Sequence, residues 1–82
     1  MAIQARLEER LNETENTIES ISNWVKHLTT ENLDIPNNLL VQYMTMNYLK
    51  STLLYINGDV DNMNDEVDLN LKETMAVFGI GL

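Results

Sequence analysis

Apolar and polar positions along the chain fall into three blocks of different texture. From Ile3 to Thr30, apolar residues recur in steps of four and three, at Leu7, Leu11, Ile18, Ile21, Val25 and Leu28, with Thr14 in the one polar slot. This is a heptad seam, with Leu11, Ile18 and Val25 at a, Leu7, Ile21 and Leu28 at d, and Gln4 in the first a place. Ile3 and Trp24 fall at g and widen the stripe, as a globular bundle helix requires. The opposite face carries Glu8, Glu9, Asn12, Glu13, Glu15, Asn16 and Glu19.

The second block, Leu39 to Ile56, reads LLVQYMTMNYLKSTLLYI and has one charge, Lys50. Its leucines, methionines and tyrosines lie on every side of a helical wheel, so the expectation is a central helix buried by its neighbours. In the third block, Met63, Val67, Leu71, Met75 and Phe78 form a helical stripe from about Asn62. Residues 67 to 72 also alternate as a strand would, but a solitary strand has no ladder partner in a helical chain, which favours helix.

The punctuation supports these blocks. Asn32 can close the first helix in the left-handed conformation, letting Leu33 fold back towards Leu28. Pro36 reads as a first-turn residue of the next helix, with Asp34 as its cap. Asn57-Gly58 ends the central helix, and Gly79 ends the third, with Ile80 touching Met75 and Gly81-Leu82 left as a tail. The fold expected is therefore all-α: one domain over residues 1–82, a small three-helix bundle with a long first helix, an apolar central helix and a shorter third helix with an acidic cap.

Length adds a constraint. About twenty-eight residues make a rod of roughly 40 Å, whereas a central helix of about twenty reaches only about 30 Å. One end of the first helix should then outrun its intramolecular partner, leaving Leu7 and Leu11 wet unless another chain covers them. A parallel pairing of two copies would set Arg10 at g against Glu15 at e of the other. The residues expected at a protein interface are accordingly Leu7, Arg10, Leu11, Glu15, Ile18 and Trp24, in a homo-oligomer for which a dimer is the simplest form. At 82 residues without cysteine, disulfides and thiolate metal sites are excluded, so packing and association remain as sources of stability.

Charge narrows the partners. A formal net charge of −8 argues against nucleic acid and anionic lipid, both of which require clustered lysine and arginine. No charged region precedes an apolar stretch at the start, so no secretory signal is expected. Gln42, Asn47 and Lys50 inside the apolar run argue against membrane insertion and for a cytoplasmic protein.

Candidate chemistry is sparse. His27, the single histidine, sits beside Lys26 in the last turn of the first helix, where positive charge complements the helix dipole. Tyr43, Tyr48 and Tyr55 each need a partner or water for the hydroxyl, and Met44 and Met46 supply adaptable packing. Residues 57–82 hold six acids and one base, a net of −5. Oxygen-bearing residues at Asn57, Asp59, Asp61, Asp65 and Asp68 are spaced as in a calcium loop. Yet Asn57 holds the first place, Asn62 replaces the turn glycine, Asn64 replaces the apolar eighth residue and Asp68 replaces the bidentate Glu. The acids read instead as a solvated, helix-capping stretch. With no nucleophile-and-base pair, glycine-rich phosphate loop or metal-ligand spacing, no catalytic, cofactor-binding or metal-ligating residue is assigned, and the chain is expected not to be an enzyme.

Three functions follow from the surface: a regulator that binds another protein, an acidic decoy that occupies a nucleic-acid-binding site on its target, or a structural oligomerisation module. The asparagine-rich helical text of Asn37-Asn38-Leu39-Leu40 and Met46-Asn47-Tyr48-Leu49, with the 82-residue length, resembles the small cytoplasmic rapid-lysis proteins of T-even-type bacteriophages, the RIII co-antiholins. The resemblance spans the whole chain and carries over no functional residue. It implies lysis inhibition by binding the cytoplasmic part of a holin.

Overall fold

The structure, a computed structural model, describes residues 2–79. Three helices follow one another: α1 (Ala2–Thr30), α2 (Asn37–Ile56) and α3 (Met63–Phe78). This is the expected all-α small bundle, with residues 67–72 helical.

Each boundary has a local cause. Asn32 adopts φ 55°, and the Leu33 and Asn32 amides donate to the carbonyls of Leu28 (2.8 Å) and Thr29 (3.1 Å). These two reversed bonds satisfy carbonyls that the end of α1 would otherwise orphan. Gly58 repeats the device at φ 85°, with the Gly58 amide on the Tyr55 carbonyl (3.1 Å) and Asp59 on Leu54 (2.9 Å). At the start of α3 the Asn62 side chain accepts from the Asn64 amide (2.9 Å), and Asp65 and Glu66 follow in the first turn. Gly79 closes α3 at φ 67°, its amide donating to the Met75 carbonyl. The expected Ile80–Met75 contact and the tail Gly81-Leu82 lie outside the described residues.

The start of α2 differs from expectation. Pro36, with φ −60° and ψ 139°, is itself the boundary residue, and no side chain caps the helix. The extended ψ of Pro36 delays helical geometry until Asn37. Asp34 therefore stands two residues outside the cap and beyond reach of the first free amides.

α1 and α2 run antiparallel, and the Gln4 side-chain amide at one end of α1 donates to Asn57 Oδ1 just past the end of α2 (2.7 Å). α3 returns antiparallel to α2, bringing Phe78 edge-on to Tyr43 with ring centroids 5.4 Å apart. α1 and α3 meet each other far less than each meets α2. The molecule measures 47 × 25 × 16 Å, elongated along the helices and narrower in one transverse direction than in the other. α2 is the middle helix, and α3 reaches the core shared with α1 at the end where Val77 and Phe78 pack against the Ile21–Val25–Tyr43 cluster.

Two expectations change as a result. The central helix is not enclosed: Tyr43, Asn47, Ser51 and Leu53 are buried, while Val41, Met44, Tyr48, Tyr55 and Ile56 are exposed. Two neighbouring helices cover two sides of a cylinder, and among the described residues there is no third to cover the rest. Nor are Leu7 and Leu11 left wet, since both are half-buried. The turn at Asn57 extends the reach of α2 to Gln4, so Ile3, 74% exposed, is the seam-edge residue that overhangs.

The apolar core is small and lies towards one end. Ile21, Val25 and Tyr43 form its buried centre, with Ile18, Ile35, Leu39, Met46, Val77 and Phe78 packed against it.

Candidate protein-binding face

Beside that core the interior turns polar. Thr14, Asn47, Ser51 and Thr74 are each no more than 3% exposed. The threonines satisfy themselves within their own helices, Thr14 Oγ1 donating to the Arg10 carbonyl and Thr74 Oγ1 to the Asn70 carbonyl, both at 2.7 Å. Asn70 bridges α3 to α2: its side-chain Nδ2 donates to Ser51 Oγ (2.7 Å) and to the Asn47 backbone carbonyl (3.3 Å). The Asn47 side-chain Nδ2 is buried without a hydrogen-bond partner.

This bridge decides which face of α3 turns inward. Asn70 and Thr74, four residues apart, occupy the α2-facing side. Val67 and Leu71 of the expected apolar stripe are therefore rotated towards solvent, 44% and 50% exposed, while Met63, Met75 and Phe78 stay half-buried. The stripe makes the helix as expected, but its middle faces out. Those two residues line a groove with Met44, Tyr48, Asn70 and Thr74. Met44 and Tyr48 belong in turn to an exposed apolar stripe on α2, in which Val41, Tyr48 and Tyr55 are seven residues apart. On the far side of Leu71 a second shallow groove is lined by Asp68, Leu71, Lys72 and Met75. Polar groups lie inside and large apolar ones outside, which is the reverse of a helix pair built to stand in water.

The residues expected at an interface from sequence all lie on α1, three on its half-buried seam and three exposed. Leu7, Leu11 and Ile18 lie on the half-buried seam of α1, and Ile18 packs against the apolar core. Arg10 and Glu15 are exposed, and Arg10 pairs within its own helix with Glu13, at 3.3 Å, both side chains more than half exposed. Trp24 is 52% exposed and stacks on His27, ring centroids 5.3 Å apart and 21° between planes. Sequence reasoning missed Met44, Tyr48, Val67 and Leu71 as a group. A signal existed in the paired small polar residues at four-residue spacing, Asn47 and Ser51 on α2 and Asn70 and Thr74 on α3, which mark the two faces that meet.

Among the described residues no group of three or more His, Asp or Glu side chains is arranged to hold a metal ion, and no helix is long and apolar enough to cross a membrane. The chain matches no known protein family, no curated protein and no solved structure at a significant level. The fold and this face define the class: a small all-α bundle with an uncovered apolar surface on two helices.

Proposed function

We propose that the chain is a non-enzymatic cytoplasmic regulator that works by binding protein, and that the outward face of α2 and α3 makes the contact. The observation that carries this reading is the inversion at the α2–α3 pair, where Asn70 and Thr74 point in while Val67 and Leu71, with Met44 and Tyr48, point out. Large apolar and aromatic side chains gathered around a groove are the kind of surface from which binding hot spots are built. The resemblance to rapid-lysis proteins of T-even-type phages names one such partner, the cytoplasmic segment of a holin, whose capture would delay lysis.

The test is a titration of that holin segment, as a purified peptide, with the chain and with Tyr48→Glu/Leu71→Glu. Both positions are half or more exposed, so the variant should keep its fold. Saturable binding that the double variant weakens about a hundredfold or more, the loss of roughly 3 kcal/mol, is the expected result. Binding unaffected by the variant removes the face from the proposal. Binding lost only on reversing Asp59, Asp61 and Asp65 moves the function to an acidic decoy.

A further inference from the structure

The chain exposes more surface than its mass requires. A compact protein of 9.4 kDa is expected to expose about 5,000 Å², whereas this one exposes 5942 Å². The excess, about 900 Å² over the whole elongated molecule, is enough to supply the roughly 800 Å² that each partner buries in a standard protein–protein interface. The radius of gyration shows the same thing: 14.0 Å against about 12 Å for a compact domain of this length. No disulfide is available to offset so thin a core.

The geometry points to a second copy of this chain as what covers the face. The surface is self-complementary in shape, because Leu71 is a ridge with one groove on each side, Met44, Tyr48 and Val67 on one and Asp68, Lys72 and Met75 on the other. Ridges of one helix seat in the grooves of another. It is also self-complementary in charge. Lys72 is the one base in residues 57–82, and it lies one turn from Asp68 on the same outward side. Two α3 helices meeting antiparallel about a twofold axis level with residue 70 place Asp68 of each copy against Lys72 of the other. The dimer buries Tyr48, Val67 and Leu71 of both copies and leaves Asp59 and Asp61, which precede α3, outside. Two chains of net charge −8 repel, so association strengthens as salt screens them, with the Debye length falling from about 30 Å at 0.01 M to about 10 Å at 0.1 M.

This inference rests on the reading of the α2–α3 face as an association surface, and its test is independent of any partner. Sedimentation equilibrium on the full chain should give twice the 9.4 kDa chain mass, dissociating on dilution, with the midpoint of thermal unfolding rising with concentration. Tyr48→Glu/Leu71→Glu should sediment as a single chain with unchanged helical circular dichroism. Asp68→Lys alone and Lys72→Asp alone should each weaken the dimer about five-fold, and an equimolar mixture of the two should recover wild-type association. Charge pairs within one chain cannot produce that rescue, and both substitutions are at exposed positions that do not threaten the fold. A wild-type chain that stays single at every concentration overturns the inference, as does a dimer indifferent to all of these changes. Failure of the mixture to recover overturns the antiparallel register. A single-chain protein whose holin-segment binding is still lost in Tyr48→Glu/Leu71→Glu leaves the proposed function standing and removes the second copy alone.

Discussion

Asn70 of α3 holds Ser51 of α2 through a hydrogen bond of 2.7 Å, and the same amide reaches the Asn47 carbonyl at 3.3 Å. Here α3 is docked by polar matching rather than by apolar burial, and the price is an apolar outer surface. Replacing Asn70 by Ala withdraws the donor from a buried hydroxyl and a buried carbonyl. The expected loss is about 1–3 kcal/mol, read from urea denaturation of wild type and variant side by side. A variant as stable as wild type would mean that α3 is held by Tyr43–Phe78 and its surroundings alone.

Asn47 predicts the opposite sign. Its side chain is 2% exposed and its Nδ2 has no partner, so the desolvation of that group is uncompensated. Asn47→Leu keeps the branching and the number of heavy atoms and removes the orphan donor, while the backbone carbonyl that Asn70 uses remains, and the gain holds to the extent that the neighbours admit the bulkier methyl groups. Stability should rise by about 1–2 kcal/mol, which at this chain length moves Tm up by roughly 4–16 °C. Calorimetry at fixed protein concentration decides it, with Asn47→Ala alongside to separate the cost of the larger side chain from the loss of the amide.

The turn between α2 and α3 depends on handedness. Gly58 stands at φ 85° with nothing within 4 Å of where a Cβ would lie, so substitution meets no steric wall and only the backbone conformation resists. Gly58→Ala should cost about 1–2 kcal/mol. Asn32, at φ 55° in the corresponding turn after α1, already bears that strain in part, and Asn32→Gly should be neutral or slightly stabilising. Equal effects of the two changes in thermal melts would show that the turns are not held as described.

Ile18 and Tyr48 separate folding from association. Ile18 packs against the Ile21–Val25–Tyr43 centre, so Ile18→Asp should unfold a substantial fraction of the chain, a loss of about 3 kcal/mol or more in helical stability. Tyr48, 59% exposed, should tolerate Glu with a change of about 0.5 kcal/mol or less in the stability of a single chain. Circular dichroism at low concentration makes the comparison. A folded Ile18→Asp protein would move the docking of α1 away from the seam.

Helix existence, helix order and helix ends were legible in the residues. The four-and-three spacing from Leu7 to Leu28 is a local property, and so are the left-handed closures at Asn32 and Gly58, because each is set by residues a few positions apart; the cap of α3 is equally local but is Asn62, where acids were expected. Where local reading failed, at Asp34, the neighbouring Pro36 had already fixed the geometry. The orientation of α2 and α3 about their own axes was not legible. A run that is apolar on all sides contains no preferred face, so Leu39 to Ile56 could not say which of its residues would be covered. That was settled by the number of neighbours, two rather than three, and by Asn70 finding Ser51 across the gap. Contacts of that kind join residues nineteen positions apart, and only the folded chain brings them within reach of each other.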